Sequence, residues 1–189
     1  MAWPGALLLA SACMVVPDTP LTRAAASGDV ARVRDLASLG ARPDDADGNG
    51  LTPLVYAARG GHVAAIEALM DAGASADHQD ARNGWTPLLH AIHKRQVDAV
   101  RVLLARGAGA GTTPPGRVPP IVMASGYGQT EIVRMLLDAG ADPRATAPGG
   151  VNALWAAAGG GALADITDGP SIGTCFPATA ALLKSRAPT

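Results

Sequence analysis

TPLVYAARGGHVAAIEALMDAGA, residues 52–74, is the stretch whose reading decides the fold. Thr52 before Pro53 marks a helix start: the hydroxyl can accept from a free backbone N–H of the first turn. A proline at the first helical position sacrifices no hydrogen bond. Gly61 can end that short helix in a left-handed conformation at little steric cost. Val63, Ile66, Leu69 and Met70 then recur at helical spacing and put one apolar stripe inward. Gly73-Ala74 closes this second helix.

The same order of residue types appears on both sides. TPLTRAAASGDVARVRDLASLGA starts at Thr19, TPLLHAIHKRQVDAVRVLLARGA at Thr86, PPIVMASGYGQTEIVRMLLDAGA at Pro119, and NALWAAAGGGALADI at Asn152. The starts are 33 or 34 residues apart. Ala24, Ala57, Ala91, Ala124 and Ala157 are small where first helices must lie close together, and Gly28, Gly61, Gly128 and Gly161 occupy the helix-ending position. Arg95 replaces that glycine in the third register, which predicts a strained turn. Val97, Val100, Leu103 and Leu104, and then Val133, Leu136 and Leu137, renew the apolar stripe. Glu67, Asp71, Asp98, Arg101, Glu131, Arg134 and Asp138 fall on the opposite face.

The pattern T-P-L-x-x-A, then G-H-x-x-x-I-x-x-L-L, then G-A resembles the ankyrin repeat, and the resemblance covers residues 19–187. It implies an all-α solenoid of five helix-turn-helix units with β-hairpin-like fingers between them. A single unit cannot bury its apolar face, so stacking stabilises the array. The first register is polar enough, with Arg32, Arg34 and Asp35, to serve as an N-terminal cap. The His that the family carries after T-P-L is replaced by Thr22, Val55, Leu89, Val122 and Trp155, so its hydrogen bond to the neighbouring loop is expected to be missing throughout. Prolines crowd GTTPPGRVPP, residues 111–120, and predict an irregular fourth finger. In the last register the double apolar pair arrives as Leu182-Leu183, thirteen residues late. A loop is therefore inserted between the two helices, with Asp165, Thr167, Asp168 and Cys175 in or beside it. Such a loop is either tolerated, because closure entropy grows slowly with length, or serves as a cap or contact patch.

Composition narrows the function. With 48% hydrophobic residues, only 3% aromatic, the core is built from small aliphatic side chains. A net charge of −1 gives no overall electrostatic footprint for nucleic acid. Two cysteines, Cys13 and Cys175, are too few for a disulfide framework or a thiolate metal site. Arg far outnumbers Lys, and Ala and Gly abound, a bias that goes with a GC-rich bacterial genome.

Residues 1–18 are read as a signal peptide or lipoprotein leader with a short linker, and residues 19–189 as the repeat domain. The apolar run Ala6–Val16 is too short to span a bilayer. Ala10-Ser11-Ala12-Cys13 resembles a bacterial lipobox whose Cys13 is lipidated. This places the protein in the periplasm or on a membrane through Cys13 alone. The alternative is a cytoplasmic protein whose N-terminal segment packs on the first repeat.

No nucleophile, base and oxyanion donor converge in the sequence, so no catalytic residue, cofactor or metal is assigned. Two alternatives stand beside this: a hydrolase or thiol enzyme built around Cys175 and the inserted loop, and a metal-dependent module using His78, His90 and His93. The resemblance instead implies a monomeric scaffold that binds an unidentified protein partner through its concave surface. The family offsets place Asn49, Leu51, Asn83, Trp85, Arg117 and Val118 at finger tips, and Arg59, His93, Lys94 and Tyr127 at first-helix ends. Trp85 is the first choice of anchor. Tyr56 and Trp155 are assigned to the core.

Overall fold

Thr19, Thr52 and Thr86 lie in extended backbone and accept the N–H three residues on at 3.0, 3.4 and 3.3 Å. Each starts a first helix with proline at its first position. Pro119 takes this place in the fourth unit without a side-chain cap, and Asn152 in the fifth, accepting from Trp155 N at 2.8 Å. The computed structural model describes residues 19–159 and 174–186.

Five helix pairs follow in order: α1 (Pro20–Ser27) with α2 (Val30–Ser38), α3 (Pro53–Gly60) with α4 (Val63–Asp71), α5 (Pro87–His93) with α6 (Val97–Ala105), α7 (Pro120–Gly126) with α8 (Thr130–Asp138), and α9 (Ala153–Ala157) with α10 (Pro177–Arg186). The first helices stack on one another from α1 to α9, and the second helices from α2 to α10, so the molecule is a two-layered helical solenoid. Between the layers lies one continuous core of Leu54, Ile66, Leu69, Leu88, Ile92, Leu103, Ile121 and Leu136, with the repeated alanines allowing close approach. In α2 only Val33 is buried, which fits a polar first unit. The delayed pair packs one place out of the expected register. Earlier units bury its first member, Leu69, Leu103 or Leu136, whereas here Leu183 is buried and Leu182 only partly so. The second helix is thus fourteen rather than thirteen residues late as α10 lies against α8 and α9. Gly160, Gly161, Asp165, Thr167 and Asp168 lie outside the described residues, as does the leader with Cys13.

Fingers join each second helix to the next first helix. Among the described residues they contain no strand, only one isolated bridge between Thr146 and Asn152. The second, third and fifth fingers close by two backbone bonds each, Asp47 N to Leu51 O with Gly50 N to Asp47 O, Asp80 N to Trp85 O with Gly84 N to Asp80 O, and Ala147 N to Val151 O with Gly150 N to Ala147 O. Pro114 occupies the equivalent place in the fourth finger and has no N–H to donate, so that turn loses the first bond and keeps only the second, from Arg117 N to Pro114 O. This is the irregularity foreseen from the proline count. Asp44 and Asp77 tie successive fingers together by accepting from Ser75 N and Gly109 N.

A second recurring bond links the helix layers. The last carbonyls of a helix have no partner within it. Here the residue just before a second helix reaches back to satisfy one: His62 Nε2 donates to Ala26 O at 3.0 Å, Gln96 Nε2 to Arg59 O at 3.2 Å, and Gln129 Nε2 to Ile92 O at 2.9 Å. In the fifth unit Phe176 supplies no such donor side chain and packs over Gly128 instead. Replacing Gln96 by Ala removes the bond at the centre of the stack. The expected loss is about 1 kcal/mol, read as a lower urea midpoint with an unchanged helical circular-dichroism spectrum.

The strained turn is also present. Arg95 stands at φ +58°, the single non-glycine residue with positive φ among the described residues, where Gly28, Gly61 and Gly128 occupy the same register.

Candidate functional site

Each finger must hold a tight turn beside the helix it introduces, and in two units a buried carboxylate does both jobs. Asp47 accepts from Asn49 N and Leu51 N at 2.9 Å each, and from the Tyr56 hydroxyl of α3. Asp80 accepts from Arg82 N and Asn83 N at 2.9 Å each, and from His90 Nε2 of α5 at 2.7 Å. Burial raises both carboxyls, but these donors outweigh it and hold Asp47 and Asp80 below the usual carboxylate range. Burial also lowers His90, against the pull of Asp80. A charged pair would raise the imidazole while lowering the carboxyl. Both are lowered, so the arrangement is a carboxylate receiving an N–H from a neutral imidazole.

Val55 and Leu89, at the family's His position, have no side-chain donor, as expected, but a finger-to-helix bond is made by another residue in two units. It comes from the residue one place after the family's His position, because a side chain there points toward the finger. In the fourth and fifth units the same two positions hold Pro114 with Met123 and Ala147 with Ala156, all buried and without a side-chain hydrogen bond to offer.

From His90 an aromatic array crosses to the next unit. Trp85 lies edge-on to His90 and His93, ring centroids 5.3 and 5.2 Å apart. His93 is tilted against Tyr127 at 5.9 Å, with Nδ1 2.8 Å from the Tyr127 hydroxyl. The Arg95 guanidinium lies 5.7 Å from the Tyr127 ring centroid.

These contacts revise the list of exposed contact residues. Leu51, Trp85 and Tyr127 are buried, at 3%, 5% and 4% exposure. Leu51 and Trp85 end their fingers as Val118 and Val151 do, and each of the four tucks under the first helix it precedes. Tyr127 is covered by His93 and Arg95 of the preceding unit. Asn49, Asn83, Arg59, His93 and Arg117 are half-buried, and Lys94 is exposed. Asn49 and Asn83 also shape their turns: Asn49 Nδ2 reaches Asp47, and Asn83 Oδ1 accepts from Trp85 N. Arg82, absent from the expected set, is exposed beside Asn83. Tyr56 is buried as assigned, but Trp155 is 48% exposed and Leu154 36% exposed. Their register is buried in every earlier unit by the unit that follows, and no described element stacks beyond α9 on that side.

The chemistry of the other candidates is now visible. His62, His90 and His93 are engaged with Ala26 O, Asp80 and Tyr127, so His90 and His93 do not present a shared metal-binding face with His78. No three His, Cys, Asp or Glu among the described residues come together in a metal-holding group. Cys175 is exposed just before α10. No helix among the described residues is long and apolar enough to cross a membrane.

Comparison with known families adds two findings. A family model described as ankyrin repeats (3 copies) matches residues 21–114, and one described as ankyrin repeat matches residues 119–147. No curated protein matches the chain.

Proposed function

The chain belongs to the ankyrin repeat proteins, and from that premise we propose that it is a non-catalytic scaffold that binds a partner protein through the face built from its fingers and first helices. Ankyrin repeats are in general protein–protein interaction modules. The observation that carries the reading is a division inside the repeat. Leu54, Leu88 and Ile121 recur at one buried position and Ala57, Ala91 and Ala124 at another, all almost fully buried. On the finger and helix-end surface, by contrast, one register holds Arg59, His93 and Gly126, and the next holds Gly60 and Lys94 at the surface but a buried Tyr127. Side chains that change from unit to unit on a constant frame are what a specific contact surface needs.

We read the fifth helix pair as a fifth repeat interrupted by the inserted loop. The protein acts as a monomer in this reading, exported behind its leader and lipidated at Cys13, as an accessory or inhibitor-like subunit of its partner. The small-residue A-x-A pattern before Cys13 supports that address, and the mass of the mature N-terminus in the native host tests it.

A photo-crosslinker placed at position 82, on the finger side, or at position 134, on the exposed side of α8, tests the face. Crosslinks to a host protein are expected from position 82 and not from position 134. Crosslinks from position 134 alone, or equally from both, overturn the reading.

A further inference from the structure

We infer that Arg59, Lys94 and Arg95 form a cationic strip that receives an acidic segment of the partner protein. The inference rests on the partner-binding reading above and adds the chemistry of what is bound.

Charge is divided between the two faces of the solenoid. On the second-helix side three arginines are matched with carboxylates, Arg106 with Asp71 at 2.7 Å, Arg101 with Asp98 and Glu131 at 2.7 and 2.8 Å, and Arg186 with Asp138 at 2.9 Å. Arg32 and Arg34, on α2 at a spacing that shares no face, and Arg134, on α8, stand apart from one another. On the finger and first-helix side, Arg59, Lys94 and Arg95 have no carboxylate partner among the described residues. The carboxylates of the fingers are already engaged. Asp47 and Asp80 are buried and saturated by Tyr56, His90 and the finger backbone. Asp44, Asp77 and Asp142 accept from Ser75 N, Gly109 N and Arg144 N, and Asp45 pairs with Arg42.

The three cations also belong to one neighbourhood. Arg59 and Lys94 lie close enough to the His90 ring to oppose its charging. Gln96, next to Arg95, donates to Arg59 O. Arg95 itself lies by the Tyr127 ring, which contacts His93, the residue before Lys94. Like charges gathered without anions repel one another, and stability alone gives no reason to gather them.

Arg95 supplies the independent observation. It holds a left-handed backbone conformation, at φ +58°, where the other units use glycine. A bulky side chain there costs stability, and such outliers are retained where the side chain is needed. The residue is exposed, and its guanidinium lies 5.7 Å from the centroid of the Tyr127 ring. A carboxylate is the group that a guanidinium fork matches in two parallel hydrogen bonds. A protein segment fits better than nucleic acid, because the chain as a whole is at −1 and the nearby aromatic rings of Trp85 and Tyr127 are buried, leaving no platform for bases.

The test uses the full chain and a short fluorescent peptide of alternating glutamate and glycine, with the glutamine–glycine peptide as its uncharged twin. The glutamate peptide is expected to bind more tightly than its twin, and the difference should shrink as salt is added. Arg95→Gly is expected to raise the thermal midpoint while weakening the glutamate peptide about fivefold. Arg59→Gln, Lys94→Gln and Arg95→Gly together should erase the preference. A residue present only for structure would give the opposite pairing, a lower midpoint with unchanged binding, and that result overturns the inference. So does equal affinity for the two peptides, or tighter binding of single-stranded DNA of the same charge. Crosslinking at position 82 separates the two claims. If it persists while the peptides are not distinguished, the face binds a protein of other chemistry and only the inference falls. If it never forms in the wild-type chain, the partner-binding reading falls with it.

Discussion

Trp85→Ala is expected to destabilise the protein by about 3 to 5 kcal/mol, the range for removing a large aromatic from a packed core. The ring is 5% exposed and lies edge-on against His90 and His93, so its removal opens a void at the junction of the third finger with α5. Those imidazoles cannot collapse into the void without giving up their bonds to Asp80 and Tyr127. Trp155→Ala is the control. That ring is 48% exposed on α9, and its loss should cost well under the Trp85 figure, within about 1 kcal/mol. Urea unfolding of the two variants at matched pH measures the contrast. Equal losses would mean that Trp85 is not the packed side chain described here.

The two tryptophans show where the sequence was sufficient and where it was not. The helix pairs were legible because a period of 33 or 34 residues repeats the same capping, breaking and apolar positions, and each has a local physical cause. The role of Trp85 was also written in the chain, though less visibly. Leu51, Trp85, Val118 and Val151 are apolar at one register in four fingers, and a position that is apolar every time belongs to the frame. Trp155 misled for the reverse reason. Thr22, Val55, Leu89 and Val122 are fully buried at its register, but burial there is supplied by the following unit and not by the residue's own helix. Burial that depends on a neighbour cannot be read from a repeat alone. The cationic strip was half legible: Arg59 and Lys94 follow from register. Its unpaired state required knowing that the carboxylates sit on the opposite side of the helices or are already engaged within the fingers.

Asp80→Ala is the other change with a large expected effect, because one carboxylate holds three donors. Arg82 N, Asn83 N and His90 Nε2 all lose their acceptor, and the Asp80 side chain is 1% exposed, so water cannot readily replace it. A loss of about 3 kcal/mol is expected, since a charged hydrogen bond is worth more than a neutral one and buried donors left unpaired are costly. Replacing His90 as well removes the most deeply buried orphan, so the double variant Asp80→Ala with His90→Ala should lose less than the two single losses added together.

The same pair gives the protein a directional acid response. His90 is held below its ordinary value of 6.5, so the folded state keeps it neutral where the unfolded chain takes up a proton. Its contribution is complete above about pH 6.5 and is lost as pH falls toward the folded value. Asp80 and Asp47 lie below their ordinary value of 3.8, so their contribution is complete above that value and is lost as pH falls through the folded one. All three losses run in one direction, histidine first and carboxylates later. The wild-type urea midpoint should therefore decline as pH falls below 6.5, and again as it falls below 3.8. His90→Gln keeps a donor toward Asp80 but cannot titrate, so it should abolish most of the first decline and leave the second. An undiminished first decline in that variant would place the acid response elsewhere in the molecule.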